Sequence, residues 1–130
     1  MNEKNSFGDN TESQILLEKV INFAKEKKAA EIVAMDLRGR STICDYFLIM
    51  TGANSRQVQS IADNILEESE KLSIPTPRIE GYKEGKWILL DMGDLVVHVF
   101  QSEERQYYNL ERLWGGVPKK DFSENSDNTL

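Results

Sequence analysis

A single histidine, two aspartates close to it and one Gly-x-x-Ser turn are the residues of this 130-residue chain whose types and spacing invite a chemical reading. His98 with Asp91 has the form of a general base and its orienting acid. No serine or cysteine in the same stretch is placed as a nucleophile for them, so the structural-donor or partner-facing reading of His98 is preferred. A metal centre is weaker still, because one histidine and one cysteine, Cys44, supply too few nitrogen and sulfur ligands. Gly52-Ala53-Asn54-Ser55 follows an apolar run and precedes a helical pattern, the place where a phosphate meets backbone N–H groups and a favourable dipole. Phosphoryl transfer there also needs two carboxylates two apart on the next strand to hold metal ions. That strand, Arg78-Ile79-Glu80-Gly81-Tyr82, offers only Glu80, and Asp91 and Asp94 are separated by a turn. Helix capping is therefore the preferred reading of the turn. A nucleotidyltransferase-like enzyme that binds a nucleotide phosphate at Gly52–Ser55 is the alternative.

The element that must position these residues is Trp87 to Phe100, WILLDMGDLVVHVF. Two apolar runs of strand length flank Gly93-Asp94, which predicts a β-hairpin near the middle of a sheet. Side chains alternate between faces along a strand, so Trp87, Leu89 and Asp91 share one face and Val96, His98 and Phe100 share one. A two-residue turn at Gly93-Asp94 puts both sets on the same face; a three-residue loop sends His98 to the other. A Gly-X pair suits a type II′ turn, which favours the first. Tryptophan is a common interface anchor. Asp91 beside it argues against a dry core, where an unpaired carboxylate is costly.

Composition narrows the class further. Hydrophobic residues make up 39% and charged residues 29%, with a net charge of −6. An acidic chain is poorly suited to gripping phosphate backbones and better suited to docking on a basic protein. The lone Cys44 excludes an internal disulfide and reads as a small packed residue. The first residues, MNEKNSFGDN, lack the apolar core of a signal peptide, and no apolar run reaches membrane-spanning length. The cytoplasm is the expected compartment.

In chain order, residues 1–10 read as a polar tail, 11–118 as one domain and 119–130 as a second tail. Thr11 and Gln14 form a capping-box pattern ahead of a helix that fades in Lys25 to Lys28. Glu31 to Leu37 and Tyr46 to Thr51 read as buried strands, with Arg38 to Thr42 a solvated loop between them. Asn54 or Ser55 caps a helix carrying Val58, Ile61, Ala62, Ile65 and Leu72. Arg78 to Tyr82 is a short strand, and Ser102 is read as the cap of a last helical segment whose Tyr107, Tyr108, Leu110, Leu113 and Trp114 have core spacing. The fold class is α/β: a single domain with a mixed sheet of about five strands and helices packed on it.

The motifs taken together resemble one family. They are Asp36-Leu37-Arg38-Gly39, Asp45-Tyr46-Phe47, Thr51-Gly52 with Ser55-Arg56-Gln57, Gly81, Trp87-Ile88-Leu89-Leu90-Asp91 with Gly93-Asp94, Val97-His98-Val99, Arg105, and Tyr108 to Trp114. This series, from Ser13 to about Trp114, is similar to the ribosomal silencing factor (Iojap-like) family. The resemblance implies a nucleotidyltransferase-like fold without transferase activity or cofactor. It implies binding to the fourteenth large-subunit ribosomal protein, obstruction of subunit joining, lowered translation when nutrients are short, and a role in large-subunit maturation. Trp87, Leu89, Asp91 and Asp94, with His98 and Phe100 beside them, are the expected partner-binding residues. Self-association of the free protein through the same face is a further expectation.

Overall fold

In the computed structural model, which describes residues 6–123, the chain forms a six-stranded sheet in the order β3-β4-β5-β2-β1-β6. The elements run α1 (Glu12–Glu26), β1 (Ala30–Asp36), β2 (Tyr46–Gly52), α2 (Ser55–Lys71), β3 (Arg78–Glu80), β4 (Trp87–Asp91), β5 (Leu95–Gln101), α3 (Ser102–Tyr108), α4 (Leu110–Leu113) and β6 (Lys119–Asp121). Only β2 and β5, at the centre, pair in parallel; every other neighbour is antiparallel, so the sheet is mixed as expected.

Helices α1 and α2 both lie on one face. Their apolar stripes, Leu17, Val20 and Ala24 on α1 and Val58, Ile61 and Ile65 on α2, meet Leu48, Met50, Ile88, Leu90, Val97 and Val99 from the sheet. All twelve of these residues are fully buried, at about 1.5–3 kcal/mol for each large side chain, so this layer carries most of the stability. Asn64 ties the two helices together, its buried Nδ2 donating to the Phe23 carbonyl and the Glu26 carboxylate. Neither helix is long and apolar enough to cross a membrane, nor is any other among the described residues.

The opposite face holds a smaller cluster, Met35, Leu37, Cys44, Ile49, Val96, Phe100 and Val117. Its cover is thin. Leu110 and Trp114 and the short α3–α4 elbow lie on it, while Val33, Phe47, Trp87 and Leu89 remain only partly buried.

Four expectations change here. Lys119–Asp121, read as part of a tail, pairs with Val33–Met35 as strand β6, and Phe122 donates its backbone N–H to the Ile32 carbonyl. Backbone pairing at a free edge does this with side chains of poor strand propensity. The segment from Ser6 to Asp9, read as part of the other tail, is docked. The Arg38 guanidinium donates to Asp9, Asp36 and the Ser6 carbonyl and lies 5.0 Å from the Tyr46 ring centre, and the Tyr46 hydroxyl also donates to the Ser6 carbonyl. Arg38 is therefore a tether between segments, where the sequence predicted a solvated loop residue. The remaining tail residues, 1–5 and 124–130, lie outside those described. Finally, Ser102 is the first residue of α3; the preceding Gln101 occupies the cap position without a side-chain cap bond.

Candidate functional site: an aromatic, acid-edged sheet face

The hairpin register is Trp87↔Phe100, Leu89↔His98 and Asp91↔Val96, and Met92 donates to the Leu95 carbonyl across the turn. The turn thus has two residues, with Gly93 at φ 88° and Asp94 not in the left-handed region, as a type II′ turn requires. Trp87, Leu89, Asp91, Val96, His98 and Phe100 share the face away from α1 and α2.

Within that face the six expected residues fall into two groups. Trp87, Leu89 and Asp91 are half-buried and Asp94 is exposed. His98 and Phe100 are 3% and 1% exposed, so they lie beneath the surface and do not reach a partner directly. This corrects their reading as contact residues: β5 is a central strand flanked by β4 and β2, and its side chains on this face are roofed by Trp87 and Phe47. Trp87 stacks on Phe100 with centroids 4.9 Å apart, and Phe47 meets His98 edge-on at 4.5 Å.

His98 supports Trp87 directly. The indole Nε1–H donates to His98 Nδ1 at 3.1 Å, which assigns the neutral ring its proton on Nε2. Nε2 is buried and has no hydrogen-bond partner among the described residues. Burial alone lowers the His98 pKa to about 4. Among the described residues no carboxylate orients the ring. Asp91 accepts instead from the Gly93 backbone N–H at 3.0 Å, fixing the turn. The general-base pairing of His98 with Asp91 is therefore absent among the described residues, although the two share a face.

The hairpin end of the face is acidic, with Asp94 exposed and Asp91 half-buried. Asp45 lies beside the hairpin tip, its backbone N–H donating to the Asp94 carbonyl. Burial first, and then the charges of Asp45, Asp91 and Asp94, push the Cys44 thiol up to about 11, which keeps it protonated and unreactive. At the other end a cleft of about 200 Å³ is lined by Glu80, Gly81, Trp87 and Leu89. Gly81 sits at φ 82°, and a Cβ there would collide with the Trp87 carbonyl oxygen, so only glycine lets the chain pass so close to the anchor.

Sequence reasoning missed the aromatic extension of this face. Tyr107, Tyr108 and Leu113 have the spacing of a buried stripe, yet they are 80%, 49% and 73% exposed. Tyr108 packs on Trp87 at 4.7 Å, and Tyr107 meets Tyr108 edge-on at 5.0 Å. Trp114 is half-buried against Phe47 at 6.1 Å. An exposed aromatic and apolar patch of this kind, rimmed by carboxylates, is suited to meeting a protein surface.

The Gly52–Ser55 turn is engaged in folding. Asn54 Oδ1 accepts from the Gln57 backbone N–H at 2.9 Å, and Gln57 Oε1 accepts from the Ala53 N–H. The Ser55 hydroxyl donates to the Glu84 carbonyl and accepts from Gln101 Nε2, so the β3–β4 loop folds against the start of α2. Glu80, the one carboxylate on the next strand, is paired with Arg78 at 3.0 Å. Capping accounts for the Asn54 and Gln57 contacts, and loop packing and a strand ion pair account for the others.

Comparison with known proteins gives a family and a fold. The family described as "Ribosomal silencing factor during starvation" matches residues 10–129. The ribosomal silencing factor RsfS of Halalkalibacterium halodurans is 45% identical over 82% of this chain and 91% of its own length. That of Bacillus subtilis is 47% identical over 75% of this chain and 82% of its own. A crystal structure of a Chromobacterium violaceum protein superposes with a TM-score of 0.78 at 27% identity, covering 90% of this chain and 98% of that one.

Proposed function

The chain belongs to the ribosomal silencing factor family, and on that premise we propose that it binds the large ribosomal subunit through its fourteenth ribosomal protein. Bound there, it occupies the surface the small subunit needs, blocks joining and represses translation under nutrient limitation. The observation that carries this reading is the open sheet face on which Trp87 is held by a buried histidine. Steric blockade asks for a rigid, presented anchor and for no reacting group, and that is what this face supplies. Trp87, flanked by Leu89, is the anchor; Asp91 and Asp94 meet basic groups at the rim.

The test is direct. Tagged protein incubated with cell lysate at low salt retains large-subunit proteins and leaves small-subunit proteins in the flow-through. Added to separated subunits, it lowers the light-scattering signal of joining. Retention of neither subunit, or joining at the unperturbed rate, overturns the proposal.

The charge balance adds a kinetic expectation. With net charge −6 and an acidic rim, the association rate with large subunits falls as salt rises, because attraction over about 10 Å is screened at 0.1 M. Stopped-flow association from 50 to 300 mM salt measures it; a flat rate removes long-range steering.

A further inference from the structure

The α3–α4 elbow is held to the sheet in an unusual way. Neither helix contributes a buried residue, so apolar packing by itself does not fix the elbow. Between them Asn109 adopts the left-handed conformation (φ 45°, ψ 59°), closing α3 and capping α4 by accepting from the Arg112 backbone N–H. Left-handed single residues of this kind favour asparagine but do not by themselves lock an angle between helices.

What locks it is Arg105, whose side chain is only 11% exposed. Its Nη1 donates to the Glu31 carbonyl at 2.7 Å and to Thr51 Oγ1 at 2.8 Å. Its Nε and Nη2 donate to the two carboxylate oxygens of Glu111, at 3.3 and 2.8 Å, across the elbow. The Glu31 carbonyl is available because β1 is irregular at this point: its register with β2 shifts between Ala30 and Val33, and Glu31 stands at φ 51°. One planar guanidinium thus joins α3, α4, β1 and β2, a role its rigid fork fills and an ammonium does not. Tyr108, three residues on, sits on the Trp87 ring.

We infer that Arg105 is a positioning residue for the docking face: through Glu111, Thr51 and the Glu31 carbonyl it sets the elbow so that Tyr108 closes one side of Trp87. The anchor then has two fixed walls, Phe100 beneath and Tyr108 beside, with His98 holding its N–H. The side chain of Arg105 itself touches no partner. Its effect on affinity passes through Tyr108, which separates it from a residue that merely stabilises the fold. The inference rests on the Trp87 face being the docking surface.

The experiment is a double-mutant cycle on large ribosomal subunits purified from Bacillus subtilis, with Arg105→Lys and Tyr108→Ala, singly and together, and with Trp87→Ala as a separate arm. Each single change in the cycle lowers affinity about tenfold. The double change is expected to cost no more than Tyr108→Ala alone, because the clamp has nothing left to position. Glu111→Gln, which keeps the fold's contacts but weakens one arm of the clamp, gives a smaller loss that likewise vanishes in the Tyr108→Ala background. The indole N–H resonance of Trp87 shifts in Arg105→Lys while the amide spectrum of α1 and α2 does not. Additive losses, or an unmoved indole resonance, overturn the inference. So does an Arg105→Lys chain that fails to fold while Glu111→Gln binds like the parent. If Trp87→Ala binds like the parent, it is the docking reading that fails.

Discussion

Trp87→Ala is expected to weaken binding to large subunits by about thirtyfold or more while the sheet stays folded. The magnitude follows from what a half-buried tryptophan does at an interface: truncating such an anchor costs about 2 kcal/mol or more, and each 1.4 kcal/mol is a factor of ten. Folding survives because the contacts of Trp87 lie on the thinly covered face. Its neighbours in sequence, Ile88 and Leu90, are fully buried against the helices and keep β4 in register. Phe100 provides the contrast. It is 1% exposed beneath the indole, so Phe100→Ala removes a core ring and costs about 3–5 kcal/mol of stability as well as affinity. Trp87→Phe separates the two contributions of the indole, since it keeps a ring against Phe100 and Tyr108 and loses the N–H that His98 accepts. Co-sedimentation with large subunits, read beside thermal melts of each variant, measures all three. Binding by Trp87→Ala at the parental level would remove the residue from the site, and with it the face.

The reason the open face of β4 was legible in the sequence, and the depth of β5 less so, is physical. Along β4 the burial alternates, with Trp87, Leu89 and Asp91 half-exposed and Ile88 and Leu90 buried, so period two betrays which face is open. Along β5 all positions from Leu95 to Phe100 are buried on both faces, and a continuous apolar run does not say which side another element covers. His98 and Phe100 were therefore placed on the correct face but at the wrong depth. The hairpin register was legible because Gly93 can take a positive φ without strain. The elbow was hidden for the opposite reason. Asn109 breaks the helix in the left-handed region, which resets the phase of the helical wheel, so Tyr107, Tyr108 and Leu113 do not form the single stripe their spacing suggests. Likewise Arg38 reaches Asp9, far away in sequence, and no local pattern encodes that pairing. The same holds for β6, whose side chains carry little strand preference and whose place is set by the exposed edge of β1.

Acid should loosen the fold before it disturbs the docking face. His98 has an ordinary pKa of 6.5 and is held at about 4 by burial, with no charged partner contributing. A buried neutral histidine is one whose folded form resists protonation. Between pH 6.5 and 4 the unfolded chain binds a proton that the folded chain does not, so stability falls as pH falls through that window. The stabilisation from the neutral ring is full above 6.5 and gone below 4, and the separation of the two values corresponds to about 3 kcal/mol. The assignment is unusually clean because the chain has one histidine. Asp9, Asp36 and Asp121 are held below the usual carboxylate value and release their contributions at lower pH. Urea melts from pH 7.5 to 4 measure the slope. His98→Gln, whose side-chain oxygen can still accept the indole N–H, should flatten it; a slope that persists in that variant, or a flat parental profile, refutes the assignment. The affinity of the folded chain for the large subunit follows a different curve. At pH 5.5 the folded protein still carries a neutral His98 and Nδ1 still accepts from Trp87, so the anchor keeps its orientation although stability has begun to fall. Only near pH 4, where Nδ1 gains a proton and turns from acceptor to donor, does the indole lose its support. Stability and affinity are thus expected to part by more than one pH unit, which is what a histidine buried as a prop, and not exposed as a contact, requires.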